Sequence, residues 1–429
     1  MKYHKIDSGL FIENRKRLID KLLPNSVVVL LSNDRMPTNA DGSMPFKQNT
    51  NLFYLTGIDQ EESILILAPD HPNQKLRAQL FLKETDKHIA VWEGQKLSKM
   101  EGFFVSGIEQ VHWLSHFDDA LKQVISESQQ VYLYQNEHSR KSSVVETAHD
   151  RFAAKMKQAY PLYDYKRLAP IIYELRTIKS VVEVALIQEA CRITEVGFKN
   201  MLSTVKPGIW EFELEAEYAY HFLRNRSRGF AYEPIIAGGA NSCVLHYISN
   251  DAQLCSGDLL LMDVGAEYAN YNADMTRTIP VNGTFSRRQK QVYRAVLNVK
   301  RQATSLLTPG SSIPEYHRAV GELMTSELLS LGLLTEKEVL EQDPAHPVYK
   351  KYFMHGTSHH LGLDVHDVGS SHKKIEAGMV FTVEPGIYIP NEGLGIRLED
   401  NILVSESGNI NLMRDIPIEI EEIEDLMRH

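Results

Sequence analysis

The feature that most constrains this chain is a pair of apolar runs that each meet a carboxylate. Residues 259–263 (LLLMD) end on Asp263, and residues 275–281 (MTRTIPV) follow directly on Asp274. The stretch between them, residues 267–272, is polar and carries two Asn. Two short strand-like runs around turn-forming residues predict a hairpin. Asp is disfavoured in strands, and burying a carboxylate is costly unless it is paired or binds a metal. From this stretch alone, solvated caps beside a turn account for both Asp residues equally well.

Three motifs further along change that balance. HGTSHHLGLDVHD covers residues 355–367, TVEPG residues 382–386 and IRLED residues 396–400. Glu384 follows the apolar run 379–383, and Arg397 and Glu399 share one face if their segment is a strand. One charge at a strand end is ordinarily solvated; four such motifs point to a shared polar centre. Asp263, Asp274, Glu384 and Glu399 offer oxygen, and His359 offers nitrogen. Two divalent cations would cancel the four carboxylate charges. An oxygen-rich set suits a harder ion such as Mn2+. Two metals about 3.5–4 Å apart can activate a shared nucleophile near neutral pH. His355 and His359 stand at i, i+4, but Gly356 occupies the place where a zincin carries Glu, which excludes that class.

These residues resemble the five-ligand dinuclear site of the pita-bread metallopeptidases, the family of methionine aminopeptidase, aminopeptidase P and prolidase. The family order is Asp, a second Asp eleven residues later, His, Glu, Glu. Here it falls on Asp263, Asp274, His359, Glu384 and Glu399. The wording around His359 and Glu384 is closest to aminopeptidase P and prolidase. The resemblance implies an α/β (α+β) fold. An N-terminal α/β creatinase-like domain would cover residues 1–172, and a pita-bread metallopeptidase domain residues 173–429. It implies two divalent metal ions, Mn2+ first among the candidates. Asp263 would chelate one, His359 and Glu384 the other, and Asp274 and Glu399 would bridge.

The same resemblance assigns roles around the metals. His246 would face the substrate carbonyl. His366 would bind the proline side and stabilise the oxyanion. Tyr232, fourteen residues before His246, would hydrogen-bond a bridging Asp. His355 would line the pocket, Arg397 would clamp a carboxylate, and Glu384 would carry the proton to the leaving nitrogen. His360 departs from the pattern, because aminopeptidases P often carry an aromatic such as Trp there; the fine selectivity of the pocket stays open. The implied activity is that of an Xaa-Pro aminopeptidase, which releases the N-terminal residue from peptides with Pro second. Ser358 stands where prolidases commonly carry Gly, which favours this over an Xaa-Pro dipeptidase. A non-catalytic pita-bread module would ordinarily have lost ligands, and all five are present. The family also implies a homo-oligomer, dimer or tetramer.

The rest of the chain is read around that centre. Its 429 residues suffice for two domains. A net charge of −10 argues against a nucleic-acid partner. No apolar run reaches the roughly 18 residues of a membrane helix, and the start MKYHKIDSGLFIENR shows no apolar leader. The three Cys are too few for a disulfide framework and are expected as buried free thiols, so a cytoplasmic protein is expected.

In the first half, residues 12–23, 117–128 and 144–159 are expected as helices. Strands are expected at 27–31, 53–56, 63–67, 79–82, 89–92 and 131–134, with Trp92 as a core residue. The segment PFKQNTNLFYLTG, residues 45–57, resembles the N-terminal domain of aminopeptidase P and prolidase. Residues 165–178, with the wording LRTIKS, read as the connection. In the second half, helices at 181–205 and 211–224 flank a Pro-Gly pair, and so do those at 286–307 and 314–331. Helix, Pro-Gly, helix, strands thus occurs twice, which suggests an internal repeat. The closing IEIEEIED, residues 418–425, is expected as a solvated acidic tail.

Overall fold

In the computed structural model, which describes residues 2–370 and 372–428, the chain forms one unit of Tyr3–Arg176 and a second from Thr177 onward. The first contains α1 (Ser8–Ile19), β1 (Ser26–Leu31), α2 (Thr50–Thr56), β2 (Ile64–Leu67), β3 (Ala78–Leu82), α3 (Lys87–Trp92) and α4 (Lys99–Ser106). It continues with β4 (Gln110–Trp113), α5 (Phe117–Ile125), β5 (Gln130–Leu133), α6 (Ala148–Ala159), β6 (Asp164–Arg167) and α7 (Ala169–Thr177). The strands form one mixed sheet in the order β4-β3-β2-β1-β5-β6. Central β1 pairs antiparallel with β2 and parallel with β5. Its sequence SVVVLL is apolar without alternation, as suits a strand covered on both faces. Val27 and Val29 pack with Phe117, Val124, Phe152 and Met156, while Val28 and Leu30 are buried on the opposite face.

Several local expectations are corrected here. Residues 53–56 belong to helix α2, not to a strand. The Asn49 side chain accepts from the Asn51 and Leu52 amides, and Gly57 closes the helix at φ 67, so the two caps outweigh the β preference of Phe, Tyr and Thr. Residues 89–92 are likewise helical, capped by Asp86, and Trp92 is 75% exposed rather than in the core. The helix expected from 144 starts at Ala148, where Thr147 and Asp150 form a capping box. Residues 165–178 are no bare connection, since they carry β6 and α7. Arg176 of α7 donates to Asn51 Oδ1 at 2.6 Å inside the first unit, which runs to that residue.

The second unit contains α8 (Val181–Thr204), α9 (Glu211–Arg224), β7 (Ile235–Gly238), β8 (Leu259–Val264), β9 (Glu267–Tyr268), β10 (Tyr271–Asn272) and β11 (Met275–Pro280). There follow α10 (Arg287–Leu306), α11 (Ile313–Ser330), α12 (Glu336–Leu340), β12 (Val380–Val383), β13 (Gly386–Ile389), β14 (Leu394–Arg397), β15 (Asp400–Leu403), β16 (Ile410–Asn411) and α13 (Ile420–Leu426). α8, α10 and α11 each open on a Ser capping box: Ser180 with Glu183, Ser286 with Gln289, Ser312 with Glu315. α8 packs on α9 and α10 on α11, and each pair precedes strands in the chain. The hairpin is β8 and β11, with Asp263 opposite Thr276, in a sheet of order β11-β8-β7. β12, β15 and β16 form a second sheet, and β13 pairs with β14.

The acidic tail is a further correction. α13 buries Ile420 and Ile423, and Glu424 accepts from the Phe285 amide and from Lys290 Nζ, both at 2.8 Å. The thiols differ from expectation as well: Cys191 is buried, Cys243 half-buried and Cys255 exposed. Among the described residues, no helix is long and apolar enough to cross a membrane.

Candidate metal and substrate site

Asp263 lies in β8 and Asp274 immediately precedes β11, so the hairpin presents two carboxylates at the end where the chain leaves β8 and enters β11. One hydroxyl joins them: Tyr232 Oη stands 2.6 Å from Asp263 Oδ1 and 2.6 Å from Asp274 Oδ1. A phenol has one proton to donate, so the two carboxylates compete for it. Asp274 is fixed through its backbone. The Asn401 amide accepts from Asp274 N–H at 3.1 Å and donates to Asp274 C=O at 2.6 Å.

Arg397 ends β14, whereas Glu399 sits in the break between β14 and β15, so the two do not share one strand. The Glu399 amide donates to Thr276 C=O at 3.0 Å, and its carboxylate accepts from Thr276 Oγ1 at 2.7 Å. Arg277, on the opposite face of β11, donates to Glu399 C=O at 2.6 Å and to Asp400 Oδ1 at 2.7 Å. Lys300 and Asn411 complete the surroundings of Asp400.

His359 brings nitrogen to this group. Its Nδ1 donates to His360 C=O at 2.9 Å. Nε2 then faces Asp274 Oδ2 at 3.4 Å and Glu384 Oε1 at 3.5 Å. Ligand atoms of Asp274, His359 and Glu399 all lie within 4.8 Å of one another. Glu384 joins them through His359, and Asp263 through Tyr232.

Arg397 runs along the other side. It donates to Asp263 Oδ2 at 2.6 Å, to Thr276 Oγ1 at 3.1 Å and to Tyr388 Oη at 2.8 Å. Tyr388 Oη lies 2.8 Å from His355 Nε2, and His355 Nδ1 lies 2.8 Å from Gly356 C=O. With neutral His355 every proton in this relay has an acceptor. Burial, reinforced by the charge of Arg397, pushes His355 down to about 4, consistent with that neutral form.

Two substrate-directed candidates are exposed beside this cluster. His246 is exposed on the segment after β7, close enough to act electrostatically on His355. His366 is exposed, with its ring edge-on to His359 at 4.3 Å. His360 turns away from the donors: it is 9% exposed and packs on Phe381 at 4.3 Å, a core position rather than pocket wall.

Electrostatics describe what the cluster lacks. Burial, with the Asp274 and Asp263 charges added, pushes Glu384 up to about 7. Burial and neighbouring carboxylates also hold Asp274 and Glu399 above the ordinary carboxylate range, Glu399 the further. Burial disfavours charge on His359, but Asp274 and Glu384 outweigh it and raise its pKa. Crowded, dry carboxylates around one imidazole whose other nitrogen donates to a carbonyl match the donor chemistry of divalent cations. No thiolate takes part. The residues present fit a metal centre.

Sequence reasoning missed several members. Tyr388 shares a strand face with Gly386, two residues after Glu384, and Thr276 stands two residues after Asp274; period-two spacing from a candidate ligand could have found both. Asn401 and Arg277 had no local signal, because Asn401 meets Asp274 across 127 positions.

Residues 185–406 match Metallopeptidase family M24, and residues 11–134 match Aminopeptidase P, N-terminal domain. The chain is 35% identical to Xaa-Pro aminopeptidase of Haemophilus influenzae, over 99% of this chain and 98% of the relative. It is 33% identical to Xaa-Pro aminopeptidase of Escherichia coli, over 97% of each. Among solved structures, Pseudomonas aeruginosa aminopeptidase PepP superimposes with a TM-score of 0.91 at 31% identity, covering 99% of this chain and 98% of that one. Aminopeptidase P from E. coli with the inhibitor Pro-Leu gives 0.88 at 32%, covering 99% of each.

Proposed function

The chain belongs to metallopeptidase family M24, and on that premise we propose that it is an Xaa-Pro aminopeptidase, a metal-dependent hydrolase releasing the N-terminal residue from peptides with Pro in second position. The observation that carries the reading is the convergence of Asp263, Asp274, His359, Glu384 and Glu399 around Tyr232 and Arg397. These five residues would hold two divalent ions, with Mn2+ favoured by the oxygen-rich set. Bound ions supply Lewis acidity, which polarises the scissile carbonyl and activates water.

The chain's own residues do the rest. Glu384, beside His359, is the proposed carrier of the proton from the attacking water to the departing Pro nitrogen. The His246 and His366 imidazoles donate to the oxygen that gains charge as the carbonyl carbon becomes tetrahedral. Arg397 holds Asp263 and, through Tyr388, keeps His355 oriented in the pocket wall. Tyr232 spaces the two hairpin carboxylates.

We also propose a homo-oligomer, as a dimer or tetramer, in the cytoplasm. Three unpaired thiols accord with a reducing compartment. The test compares an Xaa-Pro-Yaa tripeptide with an Xaa-Pro dipeptide after restoring Mn2+ to chelated protein. The tripeptide should show the higher kcat/KM. A clear preference for the dipeptide would move the assignment to prolidase.

A further inference from the structure

The segment carrying His359 and His366 has no helix or strand of its own over residues 361–370. It is tied at separate points. The Asn272 backbone amide donates to Gly362 C=O at 2.9 Å. The Asn272 side-chain amide donates to Gly362 C=O at 3.0 Å and to Leu363 C=O at 2.9 Å. Asp367 N–H donates to His360 C=O at 2.9 Å, which closes the loop on itself. A further tie is ionic: Lys179 Nζ donates to Asp367 Oδ2 at 2.9 Å, with both side chains 1% exposed.

Lys179 is well placed as an anchor. Its amide donates to Gly378 C=O at 2.9 Å, and the next residue, Ser180, caps the long helix α8. The pair needs room that only glycine leaves: a Cβ on Gly362 would stand 2.2 Å from Asp367 Oδ2 and 3.0 Å from Lys179 Cε. A fully buried ion pair is a poor source of stability, since apolar replacements of similar volume are often neutral or better. It is a good source of geometry where a loop has no backbone ladder. His366 is the residue directly before Asp367, exposed, with its ring set against His359.

We propose that the Lys179–Asp367 ion pair is a positioning device for His366, fixing the loop so that the imidazole meets the reacting carbonyl. Lys179 is a positioning residue and touches no substrate. The inference rests on the reading of His366 given above.

A double-mutant cycle tests it, with kcat, KM and metal content measured for Lys179→Met, His366→Ala and the double variant. His366→Ala should lower kcat by roughly 100-fold. Lys179→Met should lower kcat by about 10- to 100-fold, the cost of a small misplacement, with metal content kept. In the His366→Ala background, Lys179→Met should cost nothing further, because its effect passes through the lost ring. Equal losses in both backgrounds would overturn the proposal. An unchanged kcat in His366→Ala would remove the reading of His366 and the proposal with it.

Lys179→Met leaves Asp367 buried and unpaired, so it can fail to fold. Lys179→Met with Asp367→Leu avoids that. It should melt like the parent, bind metals and still turn over slowly. Parental turnover in that folded, metal-loaded protein would overturn the proposal.

Discussion

His149 gives the sharpest quantitative test of the first unit. It lies in the first turn of α6, 4% exposed, with its ring edge-on to Tyr134 at 5.0 Å. Nε2 accepts from Leu31 N–H at 3.1 Å, at the end of β1. The imidazolium form would lose that acceptor and place charge at the positive end of a helix. Burial pushes the pKa from 6.5 down to about 4, against the weaker pull of Asp150 and Asp34. The unfolded chain therefore takes up a proton near pH 6.5, and the folded chain resists until about pH 4. Between those values the unfolded state binds more protons, so stability falls as pH falls; above 6.5 the contribution is complete. At about 1.4 kcal/mol per pH unit the loss from pH 7 to pH 4 is about 3 kcal/mol. Urea unfolding of the parent and of His149→Gln, which can accept but does not titrate, isolates this group from the other carboxylates and histidines. The parent should lose about 3 kcal/mol more than the variant across that range. Leu31 amide exchange should accelerate with it. Parallel pH profiles for the two proteins would refute the argument.

Three other perturbations probe the second unit. Chelated protein titrated with Mn2+ should bind two ions per chain by metal analysis, and Glu399→Ala should lose nearly all turnover; a parent that takes up no metal would sink the enzymatic reading. Tyr232→Phe removes the hydroxyl between Asp263 and Asp274 and should weaken metal binding about 10- to 100-fold in chelator competition, whereas unchanged affinity would show that the hydroxyl does not organise the pair. Lys300→Met leaves Asp400 short of one buried partner and should destabilise the second unit by about 3–5 kcal/mol in urea unfolding; a loss under about 1 kcal/mol would mean Arg277 and Asn411 alone satisfy Asp400.

What could be read in advance follows the range of the forces involved. The strands bearing Asp263 and Asp274 were legible because apolar runs and turn residues are local patterns. The long helices of the second unit were legible for the same reason, and α8, α10 and α11 each open on a Ser capping box that the sequence spells out. Residues 53–56 misled because aromatic and β-branched side chains were weighed above Asn49 and Gly57, the caps that define α2. α13 misled because its charge hid the spacing of Ile420 and Ile423 and the ion pair of Glu424 with Lys290. The five candidate ligands were legible as ionisable groups set at apolar runs, and the family resemblance ordered them into one ligand set. What holds Asp274 and Glu399 was invisible, since Asn401, Arg277 and Thr276 lie more than a hundred residues from the atoms they contact in the opposite half.

Those distant contacts explain how like charges can share a dry site. Asp263, Asp274, Glu384 and Glu399 repel one another, and Arg397 is the cation set directly on one of them. The restraint acts instead on the backbone. Asn401 clamps both the N–H and the C=O of Asp274, while Thr276 C=O and Arg277 hold the N–H and C=O of Glu399. The grip is reciprocal: β11 holds residue 399, and residue 401 holds the start of β11. Neither clamp consumes a carboxylate lone pair, and Thr276 Oγ1 takes one from Glu399 alone. Asp274 and Glu399 are thus held by their backbones, and the clamps themselves leave the carboxylate oxygens of these two residues to a cation, an arrangement that regular strand pairing between the two sheets would not allow at Glu399. The break between β14 and β15 at that residue is therefore where the two halves can be joined without closing the centre they share.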